Sequence, residues 1–340
     1  SPIEAAAETG RSVAVEQFGV SVCQPGPPPI RPTGARETAT ADRAGSRAAA
    51  LRLPPIGFGC SRYRDGEYVD RIGSIATALD AGYRLLDSAE LYGNEARIGE
   101  LLAAPGSPNR EGLVLVSKVW NTNHGHVAEA CEGTLAALGV DALDCYMLHW
   151  PDSWAYQGPI RELAEEPPAE QERLTFPETD DGERATADIS LREAWRRLER
   201  CYDRGLTRTL GICNVSVEQL TTLAAVARVT PAIVQVESHP YQPREALVAA
   251  CHERGIRVLA HSPLSAPGLL SEPVLTDIAE THGVSPAAVV LAWQIGRGVV
   301  PIPSSNDTDH IVDNLAAARL RLSAAEHERV AALADPEFER

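Results

Sequence analysis

From about Leu53 onward, short apolar runs alternate with stretches in which apolar residues recur three and four apart. The runs are IGFGC (56–60), YRLLD (83–87), LVLVSK (113–118), LDCYMLH (143–149), RTLGIC (208–213), IVQVE (233–237), IRVLAH (256–261) and VVPIP (299–303). They are near-continuously apolar, as parallel strands covered on both faces are, rather than alternating. Between them, YVDRIGSIATALDAG, HVAEACEGTLAALG and LREAWRRLERCYDRG carry a helical period, and glycine closes several ends. About eight strand-helix units predict an α/β fold of one domain, a (β/α)8 TIM barrel over 51–340. A doubly wound sheet rarely needs so many regular repeats. The GxGxxG phosphate-binding turn of such sheets is also missing, GFGCS being too short a match.

Two segments fall outside this rhythm. Residues 1–50 are rich in Ala, Pro, Gly and Arg without a sustained period, and read as an N-terminal extension. The connection after the fourth strand is much longer than the others, and its residues 156–188 hold ten acids against three arginines. A solvated surface loop and a functional flap over the site are both open readings of this acidic insertion.

Composition narrows the partners. The formal charge of −16 disfavours nucleic-acid backbones and anionic membrane surfaces. No stretch approaches the roughly 20 unbroken apolar residues of a membrane span. Seven cysteines, odd in number, scattered and without a CxxC pair, predict neither a disulfide framework nor a zinc ribbon. With no apolar leader and with Glu4, Glu8 and Glu16 near the start, a cytoplasmic location is expected, as a monomer or weak oligomer. Of 31 basic residues, only Lys118 is lysine.

That lysine matters because a barrel of this kind places its site at the carboxyl ends of the strands. Strand two ends in Asp87, strand three in Lys118 and strand four in His149, while Tyr92 follows in DSAELYGNE. Taken singly, each is as readily a cap, a satisfied polar residue or a surface filler. Their convergence on one rim is the signal. A compact ammonium fits beside a phenol where an arginine fork would not. It is expected to lower the pKa of Tyr92 toward the working range and make that phenol a general acid. Asp87 would hold Lys118, and His149 would donate a hydrogen bond to a carbonyl oxygen.

These residues and their surroundings resemble the aldo-keto reductase family. GYRLLDSAELYGNEARIGE, LGVDALDCYMLHWP and VVPIPSSNDTDHIVDNL look like its three signature segments in order. The resemblance implies a catalytic tetrad of Asp87, Tyr92, Lys118 and His149. It also implies a nicotinamide cofactor, NADPH or alternatively NADH, bound without a Rossmann domain, and a small-molecule carbonyl substrate. Cofactor contacts carry over to Asn214, Gln235, His261, Ser262, Leu264, Ser304, Ser305, Asn306, His310 and Asn314. Four positions depart from the pattern. Cys213 stands for a serine, His261 for a stacking tyrosine, and Ser304 and His310 for the lysine and arginine that grip the 2′-phosphate, with Asp307 and Asp309 adding negative charge. In the pocket, Ser61 replaces a tryptophan and the chain stops soon after Val330, so a wide mouth and a bulky substrate are expected, walled by Trp120, Trp150 and Trp154.

Three alternatives stay open on the residues. One is a metal-dependent hydrolase using His124 and His126, although that HxH lies after strand three and lacks a third ligand at suitable spacing; no metal is expected. Another is a cofactor-binding regulatory barrel without turnover. The third is reduction of a C=N bond by the same tetrad.

Overall fold

The computed structural model describes residues 51–338, apart from 62, 65–66, 69–70 and 164–165. The extension 1–50 lies outside the described residues. Eight parallel strands follow one another around a barrel: β1 Phe58–Gly59, β2 Leu85–Asp87, β3 Val114–Val119, β4 Leu143–Leu148, β5 Thr207–Cys213, β6 Ile233–Glu237, β7 Arg257–His261 and β8 Val299–Pro301. Closure is made by the backbone, as Gly57 N donates to Pro301 O at 3.0 Å and Gly59 N to Pro303 O at 3.1 Å. A Cβ at Gly59 would stand 3.0 Å from Ile302 O, so the seam runs where a side chain is missing. All eight predicted strands are present, each within a residue or two of its run.

Helices α1 Ile72–Ala81, α2 Glu95–Ala103 and α3 Val127–Leu138 follow the first connections, and α4 Pro168–Thr175 lies inside the acidic insertion. Then come α5 Leu191–Asp203, α6 Val217–Val226, α7 Glu245–Glu253, α8 Pro273–His282, α9 Pro286–Gly296, α10 Thr308–Ala316 and α11 Ala324–Ala331. Local chemistry sets several of their starts. Ser190 and Glu193 form a capping box on α5, and Ser216 with Gln219 and Ser323 with Glu326 do the same on α6 and α11. Left-handed glycines end others, among them Gly82 at φ 114° after α1 and Gly139 at φ 66° after α3.

The two faces of each strand have different fates. Leu85, Val116, Cys145, Met147, Cys213, Ile233, Leu259 and Val300 fill the barrel. Leu86, Leu115, Tyr146, Ile212 and Val234 face the helices and build the larger core. Met147, the one methionine, fits because a Cβ at Gly211 would stand 2.7 Å from its Cε. Both faces being buried explains why the runs carry no polar alternation.

The insertion is not a plain solvated loop. Ile160, Gln171 and Thr175 are buried, and Ala155 and Ala185 pair through their backbones across its base. Its acids Glu178, Asp180, Asp181 and Glu183 do face water.

Candidate active site

Inward residues recur every second position, and extending that parity to the strand ends assembles the site. Leu85 is followed by Asp87, Val116 by Lys118, Met147 by His149, Cys213 by the loop, Ile233 by Gln235 and Leu259 by His261. Lys118 is fully buried; its Nζ donates to Asp87 Oδ2 at 2.7 Å and to Ser88 O at 2.8 Å. The other carboxylate oxygen of Asp87 accepts from Gln235 Nε2 at 2.7 Å. Tyr92 arrives from the turn Glu90–Tyr92, which Gly93 closes at φ 60°. The Lys118 ammonium lies 5.3 Å from the centroid of its ring, and the His149 ring stands edge-on to it at 6.0 Å. Acid, cation, phenol and imidazole therefore share one rim.

The electrostatics correct one expectation. Burial pushes the Tyr92 phenol up to about 12; Lys118 opposes this and Asp87 adds to it, so the net shift is upward rather than toward neutrality. The cation is present, but withdrawal from water outweighs it. Burial works against the charge on Lys118, yet Asp87, aided by Tyr92, holds it above the ordinary lysine range. His149 is held well below the ordinary histidine value by burial first, then by Lys118, His261 and His124. Near neutral pH the rim thus carries a neutral phenol, a charged ammonium and a neutral imidazole. A neutral imidazole keeps one N–H to donate.

The predicted cofactor residues run from the end of β5 to α10. Asn214 Nδ2 donates to His149 O at 2.9 Å, and its Oδ1 lies 3.0 Å from His261 Nε2. Asn214 and Ser262 have φ of 57° and 51°, two of the three non-glycine residues held at positive φ among those described. Such backbone is costly without a purpose and clusters at ligand clamps. Leu264 is half-buried beyond that bend. Ser304, Asn306 and His310 are exposed and Ser305 is half-buried, while Asn314 is buried on α10. Asp307 caps α10 by accepting from His310 N at 3.0 Å, and Asn306 Oδ1 accepts from Ser74 Oγ at 3.1 Å. Cys213 turns into the barrel, 3.6 Å from Met147 Sδ and beside Lys118.

The aromatic positions separate. Trp150 is 41% exposed, whereas Trp120 is buried and its Nε1 donates to Thr175 O at 2.7 Å. Trp120 meets His149 edge-on at 4.9 Å, Trp154 at 5.2 Å and Phe176 at 5.3 Å. It supports the imidazole from beneath the insertion and is not an open wall. Arg184 lies 4.8 Å over Trp154 and 5.3 Å over Phe176, beside a cleft of about 610 Å³ that Gln157 and Pro177 help to line. Ser61, two residues past β1, is half-buried. His124 and His126 are engaged separately, one 2.8 Å from Ser153 Oγ and the other stacked on Tyr156 at 4.1 Å. Among the described residues no three His, Cys, Asp or Glu side chains gather as a metal site.

Sequence reasoning missed Glu90, Glu95, Arg161, Thr175 and Phe176. Glu90 sits inside the DSAELYGNE segment, and Arg161 is one of three arginines in an acidic stretch, so the odd charge in each context was the available signal.

The model of the aldo/keto reductase family matches residues 55–335. Aldo-keto reductase family 1 member A1 of Cricetulus griseus is 37% identical over 298 residues, which cover 83% of this chain and 86% of that protein. The human member A1 is 35% identical over the same shares. The structure of the aldose reductase from Schistosoma japonicum superposes with a TM-score of 0.74 at 30% identity, covering 85% of this chain and 92% of that one. That of aldose reductase from Giardia lamblia gives 0.73 at 29% identity, covering 84% and 94%. The family match and the relatives are those of an NAD(P)H-dependent oxidoreductase acting on carbonyls. The chain belongs to the aldo/keto reductase family. Aldo-keto reductases of this kind use NADPH, and some NADH, so the cofactor is a nicotinamide nucleotide.

Proposed function

We propose that the chain reduces the carbonyl of a bulky aldehyde or ketone to an alcohol, with Tyr92 as general acid. The observation that carries this is the buried Lys118–Asp87 pair, 2.7 Å between charges, set beside the Tyr92 phenol and the His149 edge. A bound reduced nicotinamide supplies the hydride that goes to the carbonyl carbon. His149, neutral, donates to the carbonyl oxygen and fixes which face is presented. Tyr92 then gives its proton to that oxygen. A phenol at about 12 remains a stronger acid than an alcohol, so the transfer runs toward the product, and the proton is in place throughout the neutral range. Lys118 stabilises the phenolate left behind, and Asp87 keeps Lys118 charged and fixed.

Asn214, Gln235 and His261 are assigned to the reacting end of the cofactor, and Ser262 with Leu264 to its phosphates. The strained backbone at Asn214 and Ser262 supports this assignment. Ser304, Ser305, Asn306, His310 and Asn314 are assigned to the adenosine end. The bulky substrate rests on Ser61 at the mouth and on the exposed Trp150. A cytoplasmic setting is in keeping with the six buried free thiols among the described residues, and the chain is assigned as a monomer or weak oligomer.

The test is oxidation of NADPH and of NADH by the purified chain against a panel of aldehydes, ketones and cyclic imines, with cofactor binding followed by fluorescence. Turnover of carbonyls with tight NADPH binding is expected. Cofactor binding without turnover of any panel member would return the chain to a regulatory barrel, and turnover of imines alone would move the reaction to C=N bonds.

A further inference from the structure

A second charged cluster lies behind the rim, on the helix-facing side of β3. Within the insertion, the turn Ile160–Leu163 packs on the turn Glu90–Tyr92. From it Arg161 reaches inward. Its Nη2 donates to Glu95 Oε2 at 2.9 Å and also to Thr134 Oγ1, and its Nη1 lies 3.8 Å from Glu90 Oε2. Thr134 Oγ1 donates to the same Glu95 oxygen at 2.9 Å, and Ser117 Oγ donates to the other at 2.6 Å. Glu90 accepts the backbone N–H of Trp120 at 2.6 Å and Asn123 Nδ2 at 3.1 Å. Both carboxylates are buried. The guanidinium crosses α3 at Gly133, where an added Cβ would stand 2.5 Å from Nη1.

Two like charges in one dry cluster repel each other unless a cation divides them, and a planar fork can serve two acids at once. The carboxylate that Arg161 steadies is the one that fixes Trp120, and the Trp120 ring packs on His149. We propose that Arg161 is a positioning residue: by bridging Glu90 and Glu95 it ties the acidic insertion to the Tyr92 turn and locks the Trp120 segment that seats His149. The catalytic half of this inference rests on the reductase reading above.

Every group facing Glu90 enters its pH behaviour: Arg161 from the insertion, Glu95 from α2, the Tyr146 phenol from β4, and the Trp120 N–H and Asn123 amide. Burial, opposed by Arg161, the Trp120 N–H and Asn123 and reinforced by Glu95, pushes Glu90 up to about 7. Removing Arg161 drives it higher.

Four proteins test this: wild type, Arg161→Met, Arg161→Lys and Gly133→Ala, the last displacing the fork without altering charge and with better helix propensity. Hydrogen exchange of the Trp120 amide and the pH profile of kcat are measured on each. For Arg161→Met and Gly133→Ala, about tenfold faster exchange, a several-fold fall in kcat and an acid limb moved up by about one pH unit are expected, with cofactor affinity unchanged. Arg161→Lys should recover part of each loss. Wild-type exchange and an unmoved limb in folded Arg161→Met and Gly133→Ala would overturn the proposal. Should the wild-type chain turn over no carbonyl, the exchange measurement alone decides whether Arg161 holds the Trp120 segment.

Discussion

Two buried cation–carboxylate clusters sit back to back on β3, and they use different cations for different work. Inside the barrel, Lys118 meets one acid, Asp87, and one carbonyl, in a slot walled by Cys145, Met147 and Cys213. Behind it, beginning at the neighbouring residue Ser117, Arg161 bridges two acids and a threonine from a site open enough to leave its side chain 29% exposed. The compact ammonium serves where space is short and a phenol must stand nearby. The fork serves where several acceptors must be spanned. In a chain with a single lysine, the rim is the place where arginine cannot substitute.

The sharpest break in that comparison is Tyr92→Phe. Turnover should fall on the order of 10³-fold, within the range expected for losing a positioned acid. Fluorescence titration should show cofactor affinity nearly intact, and undiminished turnover would remove Tyr92 from the mechanism. Next is Lys118→Arg, nominally conservative, which should cost on the order of 10²-fold in kcat because the fork displaces Asp87 or Tyr92. Lys118→Met leaves Asp87 buried and unpaired, and should lower unfolding free energy by about 3–5 kcal/mol in denaturant titration.

The outer cluster answers to pH. Because Glu90 is raised in the fold to about 7, from an ordinary value of 4.5, the folded state holds its proton more tightly than the unfolded chain does. Its contribution to stability is fully present below pH 4.5 and is lost as pH rises through 7. Glu90→Gln should therefore gain in relative stability between pH 5 and 8, by about 3 kcal/mol at most. Parallel melts at the two pH values check this, and a gap between the proteins that does not change with pH would refute it. The smallest effect is at the adenosine end. Ser304→Lys with His310→Arg should raise the preference for NADPH over NADH about tenfold by adding charge-assisted bonds to a 2′-phosphate, as measured by titration with each cofactor.

The barrel was legible because all eight runs are covered on both sides, leaving a continuous apolar signal with sharp polar ends. Those ends named Asp87, Lys118 and His149 directly. Tyr92 was found as well, since it lies only five residues beyond Asp87. The sign of its pKa shift was misread. Sequence shows the neighbouring cation but not the depth of burial, and burial won. Arg161, Glu95 and Phe176 were missed for a different reason: their partners lie up to 66 residues away, across an insertion with no period to place it.

What the amino-acid order determined by itself is local and periodic: the two-residue alternation that points Lys118 inward, the capping boxes that start helices, and the glycines that end them. What only the tertiary structure decided is which distant groups share a dry volume. Closing the barrel brought Gln235 onto Asp87 across 148 residues, and folding the insertion back set Arg161 between two glutamates and Phe176 on Trp120. The energy of a charge depends on the water excluded around it and on the charges beside it. Neither is written at any single position of the chain.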